Sequence, residues 1–272
     1  LTRRCFEQVA VDLCLHNLPV RLIANGGGLV YAPLGPTHIA IDDVALMRTL
    51  PNMTVVAPSD AQEMRRFVPQ TLDWPGPVYI RLGKGGDTVI SKPENGFAIG
   101  KAITYRDAGD VLIATSGIMT AHALAAADIL ARQGIACRIV HFHTIKPLDT
   151  ETLFAHARGV RLIVTLDEHL LAGGLGSAVS EALIDRYDGR VPVIRRLAAS
   201  ADVLFTQMAP AFRATTWFSM ALLVTLAVML AQGRLPRTWL LVLACVAGAI
   251  TGINLVSDPL LLLVGGLLSM RP

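Results

Sequence analysis

His38 closes the stretch Asn25-Gly26-Gly27-Gly28-Leu29-Val30-Tyr31-Ala32-Pro33-Leu34-Gly35-Pro36-Thr37-His38. An imidazole is the side chain best suited to proton transfer near neutral pH. The four glycines and two prolines of the stretch let the backbone approach a neighbour closely and hold an irregular path. A lone loop histidine is more often solvated than catalytic, so its weight comes from its setting. The stretch follows an apolar run at residues 20–24, which reads as a buried strand, and precedes a helical pattern from Ile41. It is then a loop at the carboxyl end of a strand, where open α/β sheets place their ligands.

Other residues capable of chemistry read more plainly. His141 and His143 alternate on a strand and so share a face, but no third metal ligand is close in sequence. They read as structural or solvated. Gly173-Gly174-Leu175-Gly176 precedes a helix, the position of a phosphate loop. The dinucleotide fingerprint is incomplete, so backbone packing is the better reading. Cys5, Cys14, Cys137 and Cys245 have no CxxC or paired spacing. That argues against a disulfide framework or a zinc site and fits a reducing compartment. The formal charge is +3, with the basic residues scattered, which gives no footprint for a nucleic-acid partner.

The elements that position these residues alternate between strands and helices. Helical spacing at residues 4–15 puts Phe6, Val9, Ala10 and Leu13 on one side. A helix is predicted over 41–50, with Asp42 and Asp43 suited to its positive end. A strand follows at 53–57. Ser59 and Gln62 form a capping-box pattern for a helix through Phe67. A strand at 77–82 runs into the turn Gly83-Lys84-Gly85-Gly86. Turn-formers at 87–109 mark a domain boundary. The second unit reads as a strand at 110–114, a helix at 119–133 ending on Gly134, and a strand at 137–142. A helix capped by Asp149 follows at 150–156, then a strand at 160–166, a helix at 177–187 and a strand at 191–195. The expected fold is α/β, two successive domains with mostly parallel sheets, followed by a hydrophobic helical tail.

That tail differs in composition. From Ala214 to Pro272 the only charges are Arg234, Arg237, Asp258 and Arg271. Residues 214–232 and 238–257 are uncharged runs, each long enough as a helix to cross a bilayer of about 30 Å. Trp217 and Trp239 lie near run ends, where interfacial aromatics are favoured. The chain does not begin with Met, as expected of a fragment, and no apolar core follows Arg3 and Arg4 to make a signal peptide. The expected location is the cytoplasm, with membrane association through residues 214–257.

Several motifs occur in one order. Gly35-Pro36-Thr37-His38 is followed by Ile41-Asp42-Asp43-Val44-Ala45-Leu46-Met47-Arg48-Thr49-Leu50-Pro51-Asn52-Met53 and Val56-Ala57-Pro58-Ser59-Asp60. Pro77-Val78-Tyr79-Ile80-Arg81-Leu82 comes next, then Ile145-Lys146-Pro147-Leu148-Asp149. Asp167-Glu168-His169 with Gly173-Gly174-Leu175-Gly176 completes the set. Over roughly residues 1–196 the chain closely resembles the transketolase family, including 1-deoxyxylulose-5-phosphate synthases and the C-terminal subunits of split transketolases. The resemblance implies a partial pyrimidine-binding domain over 1–90 and a transketolase C-terminal domain over 105–200; the expected transmembrane helical tail over 214–272 has no counterpart in it. It implies the cofactor thiamine diphosphate. His38 would lie beside the thiazolium as the catalytic residue, binding substrate oxygens or moving protons. Arg81 would face a substrate phosphate, and Arg4 and Phe6 would contact the cofactor's pyrimidine.

The family's activating glutamate lies upstream of the first residue here, and no Gly-Asp-Gly with a metal-binding Asn occurs. The expected activity is transfer of a two-carbon ketol or acyl unit, with Mg2+ held by a partner diphosphate-binding subunit or domain in a homo- or hetero-oligomer. Sugar phosphates or keto acids are the expected substrates. Leu34 stands where many members have Asp, and Ile39 where Gln is common, so the particular substrate stays open. The alternative is a non-catalytic membrane-associated remnant or binding module.

Overall fold

The computed structural model describes residues 2–34 and 36–199. The hydrophobic tail and the membrane association through 214–257 lie outside them. Among the described residues no helix is long and apolar enough to cross a membrane.

Two α/β domains follow one another. The first carries the strands β1 (Arg21–Asn25), β2 (Thr54–Val56) and β3 (Val78–Leu82) and the helices α1 (Phe6–Gln8), α2 (Asp43–Thr49) and α3 (Ala61–Gln70). Helix α1 continues without a break as a π-helical stretch, Val9–Cys14. Val9 and Cys14 are buried there, with Phe6, Ala10 and Leu13 packed on the same cluster as Val44 and Met47. The apolar stripe read from the sequence therefore does face the core.

The second domain carries β4 (Ile103–Arg106), β5 (Val111–Thr115), α4 (Met119–Arg132), β6 (Cys137–His141), β7 (Thr144–Lys146), α5 (Thr150–Ala157), β8 (Leu162–Leu170), α6 (Leu175–Arg186) and β9 (Val193–Ala199). Its sheet has the order β4-β6-β5-β8-β9. Only the β4–β6 pair is antiparallel. Asp149 caps α5 by accepting from the Thr152 N–H at 3.2 Å, as its side-chain type and position predict.

The first sheet has the order β1-β3-β2-β7. Its fourth strand belongs in sequence to the second domain: β7 leaves β6 and pairs antiparallel with β2. The Ala57 N–H donates to His143 O at 2.7 Å, and the Gly117 N–H donates to Ala57 O at 3.1 Å. The two sheets are thus stitched through the backbone. Neither β4 nor β7 is predicted from the sequence, because each forms on the edge that a distant strand offers it, β6 for β4 and β2 for β7.

The capping box at Ser59 and Gln62 is corrected by one residue. Asp60 is the cap and accepts from the Gln62 and Glu63 N–H groups at 2.9 Å each. Its carboxylate also takes the N–H groups of Ile90 and Ser91 at 2.8 Å. Burial alone would raise this carboxyl, but those donors hold it below the usual carboxylate range.

Candidate active site

The loop after β1 first follows β3, with the Gly27 N–H on Leu82 O at 2.8 Å, and then leaves the sheet. Gly28 and Ala40 form an antiparallel bridge, so the loop is closed at a neck. The Gly28 N–H donates to Ala40 O at 2.7 Å and the Ala40 N–H returns to Gly28 O at 3.2 Å. Beyond the neck the chain makes two 3-10 turns, Ala32–Leu34 and Pro36–His38. His38 is exposed, and its Nδ1 lies 3.0 Å from Thr37 Oγ1. The imidazole is therefore free to meet a solute, at the carboxyl end of a parallel strand.

The glycines do let the backbone come close to something, and that something is the chain itself. A Cβ on Gly27 would stand 2.8 Å from Arg81 Cγ, and one on Gly28 would stand 2.0 Å from Glu168 Oε2. Gly28 also has φ +77°, in the left-handed region that side chains disfavour.

Arg81 lies under the neck and is 9% exposed. Its Nε donates to Asp43 Oδ2 at 2.8 Å, and its NH2 donates to Ala40 O at 3.0 Å and to Glu168 O at 2.8 Å. Asp43 is fully buried, and its Oδ2 also accepts from Tyr79 OH at 2.8 Å. Burial would lower the Arg81 guanidinium, but the Asp43 carboxylate beside it outweighs that and raises it. Asp43 stands in the first turn of α2, as its charge predicts. It is turned inward as the anchor of Tyr79 and Arg81. Asp42 has no capping hydrogen bond, and accepts Arg3 Nε at 2.8 Å.

Arg81 binds the backbone at Ala40, two residues past His38. The structure places Arg4 exposed and Phe6 half-buried against the first domain's core. Neither makes a hydrogen bond to the loop among the described residues. Two residues given no role in the sequence reading belong to this region. Lys84 is exposed just past β3, with Nζ 5.7 Å from the Tyr31 ring centroid. Glu168, on the second domain's β8, accepts the Leu29 N–H at 2.8 Å. The signal for Glu168 was its place in the Asp167-Glu168-His169 motif, though the polar run looked like a strand's end.

The other histidine pair sits elsewhere. His141 and His143 are wholly buried at the seam between the sheets, ring centroids 5.6 Å apart. His141 Nε2 is 3.0 Å from Glu63 Oε2, and its Nδ1 is 2.9 Å from Thr120 Oγ1. His143 stacks on Phe97 with centroids 4.0 Å apart. Burial pushes His143 down to about 3. Burial would raise Glu63, but His141 beside it holds its carboxyl below the usual range. Among the described residues no group of three or more His, Cys, Asp or Glu could hold a metal ion. The Gly173-Gly174-Leu175-Gly176 turn serves packing: a Cβ on Gly173 would lie 2.3 Å from Ala45 Cβ, and Arg48 NH1 donates to Gly173 O at 2.8 Å. A cavity of about 420 Å³ between α2, β7 and α6 is lined by Arg48, Lys146, Glu181 and Arg186 and includes no loop residue.

Comparison with known proteins adds the following. The transketolase pyrimidine-binding domain matches residues 1–86, and the transketolase C-terminal domain matches residues 100–213. A 6-deoxy-6-sulfo-D-fructose transketolase subunit from Clostridium sp. (strain MSTE9) is 39% identical over 182 residues, which is 67% of this chain and 56% of that protein. A 1-deoxy-D-xylulose-5-phosphate synthase from Synechococcus sp. (strain JA-3-3Ab) is 40% identical over 197 residues, 71% of this chain and 30% of that protein. The chain thus spans about half or less of these two relatives. Among solved structures, a split-gene transketolase in an inactive β4 tetramer superposes with a TM-score of 0.67 at 37% identity. That match covers 75% of this chain and 67% of the other.

Proposed function

Because the chain belongs to the transketolase family, as its pyrimidine-binding and C-terminal domains in tandem, we propose that it forms the pyrimidine side of a thiamine-diphosphate-dependent transferase. The reaction would move a two-carbon ketol or acyl unit between sugar phosphates or keto acids. The observation that carries this reading is the exposed His38 on a loop whose neck is fixed from both domains.

The cofactor's fit is one-sided. The half-buried Phe6 offers a ring face and the exposed Arg4 a cation, which suits a neutral heterocycle at the edge of the first domain. The diphosphate and its Mg2+ need oxygen ligands, and the described residues hold no metal-ligand group. A diphosphate-binding subunit or domain would supply them, in keeping with relatives that are themselves named as subunits. When bound, thiamine diphosphate supplies the electron sink for the two-carbon unit. His38 binds the substrate's oxygens and moves a proton at its Nε2 or Nδ1. Arg81 spends its Nε and NH2 on Asp43, Ala40 and Glu168, which leaves its NH1 as the group that would face a substrate phosphate. The exposed Lys84 would add a second cation for that phosphate. Arg81 also keeps the neck in place.

The test is a two-carbon transfer assay with thiamine diphosphate and magnesium, run with and without a diphosphate-binding transketolase subunit. Turnover is expected only in the mixture. Robust turnover by the single chain would overturn the partner requirement. Silence in every mixture would favour a non-catalytic binding module.

A further inference from the structure

We propose that Glu168 is a positioning residue: through it the second domain clamps the neck of the His38 loop, and His38 works only while that clamp is closed. The catalytic part played by His38 rests on the function proposed above; the clamp itself does not.

Strand β8 changes register with β9 after Leu166, and its last residues run beside the first domain. The Leu170 N–H donates to Ile41 O at 2.7 Å, and the Ala45 N–H lies 3.3 Å from His169 Nε2. The Glu168 carbonyl accepts Arg81 NH2. These bonds hold the region around α2. Of these second-domain groups it is the Glu168 side chain that reaches the loop beyond the neck, through Oε1 on the Leu29 N–H. Its carboxylate lies so close over Gly28 that a Cβ there would have to displace it.

The placement is unfavourable in itself. Among the described residues Glu168 Oε2 is buried without a hydrogen-bond partner, and burial raises the carboxyl above its usual value. Leaving a buried acceptor unpaired costs stability. The hydrogen bond this carboxylate does make goes to the loop. Leu29 follows the bridge residue Gly28 directly, so the bond decides in which direction the loop leaves its neck. A loop hanging from the Gly28–Ala40 bridge alone would pivot there. With Leu29 fixed as well, the loop has a second point of attachment, and its far end carries the imidazole.

Glu168 serves the loop as an acceptor, not as a required charge. Glu168→Gln keeps an oxygen at the same reach, Glu168→Asp withdraws it by one methylene, and Glu168→Ala removes it. The primary readout is amide exchange by mass spectrometry on the full chain, following residues 29–38 against β5 as an internal standard. Glu168→Ala and Glu168→Asp are expected to speed exchange in 29–38 about tenfold, as loss of a hydrogen bond to a charged group implies. Glu168→Gln should stay within about twofold of the parent, and β5 should not change in any variant. In the assembled enzyme, Ala and Asp should lower kcat about tenfold with little change in KM, and Gln should restore it. Unchanged loop exchange in both Ala and Asp would overturn the proposal. So would a Gln variant that behaves like Ala, or faster exchange with undiminished kcat. Should Ala unfold, the Asp variant decides alone. If the unsubstituted assembly shows no turnover, the proposed function fails, while the exchange data still decide the clamp.

Discussion

His38 and the pair His141–His143 share a side chain and have opposite surroundings. His38 is exposed, and among the described residues its ring hydrogen-bonds only the hydroxyl of its neighbour Thr37. The pair is sealed between the two sheets, against Glu63, Thr120 and Phe97. Both regions depend on residues that cross between the domains. At the seam the crossing groups bind each other and close the space. At the loop the crossing groups, Arg81 and Glu168, bind the backbone beneath His38 and leave the imidazole free. A histidine built into a hydrogen-bonded, desolvated seam serves stability. A histidine held only by its backbone, on a fixed neck, can serve a reaction.

The largest effect on stability should come from the support beneath the loop. Arg81→Met leaves Asp43 buried with only Tyr79 to answer its charge. Removing one partner of a buried pair costs roughly 3–5 kcal/mol. Urea unfolding should show a loss of that size, and a loss within experimental error would mean that Arg81 is not the support it is taken to be.

A smaller effect separates the seam by its pH dependence. The folded seam refuses a proton at His143 until about pH 3, whereas the unfolded chain takes one up near 6.5. The unfolded state therefore binds more protons in that window, and falling pH destabilises the fold by roughly 1.4 kcal/mol per pH unit. Glu63, held below its usual range, adds to the same loss at lower pH, because its stabilisation is present above about 4.5 and disappears through its folded value. His143→Asn should flatten the slope between pH 6.5 and 5 in urea titrations. A slope identical to the parent's would remove His143 from this account.

Much of the molecule was legible in the sequence, because long apolar runs and caps are local signals. The strands at the cores of both sheets, α4 with its glycine stop, and α5 with its Asp149 cap all rest on residues adjacent in the chain. The His38 loop was legible as a loop at a strand's end for the same reason. What escaped was decided across the domains. Strand β7 exists because β2 offers it an edge. Strand β8 reads as ending at Leu166, since Asp167-Glu168-His169 is polar, yet it runs to Leu170 because the first domain receives those residues. Asp43 reads as a helix-end charge, with no sign that Tyr79 and Arg81 also need it. The glycines announced a close approach without saying that the approaching groups would be Arg81 and Glu168.

The contrast between the two histidine regions is tested most directly by comparing His38→Asn with His143→Asn in the same assembly with a diphosphate-binding subunit, turnover being measured per folded complex. His38→Asn should lower turnover about 10² to 10⁴-fold, the usual contribution of a positioned acid–base group, with an unchanged unfolding midpoint. His143→Asn should shift the midpoint's pH dependence and leave turnover per folded complex near the parent's. Full turnover by His38→Asn, or a folded His143→Asn assembly that has lost its turnover, would contradict the assignment of chemistry to the loop and stability to the seam.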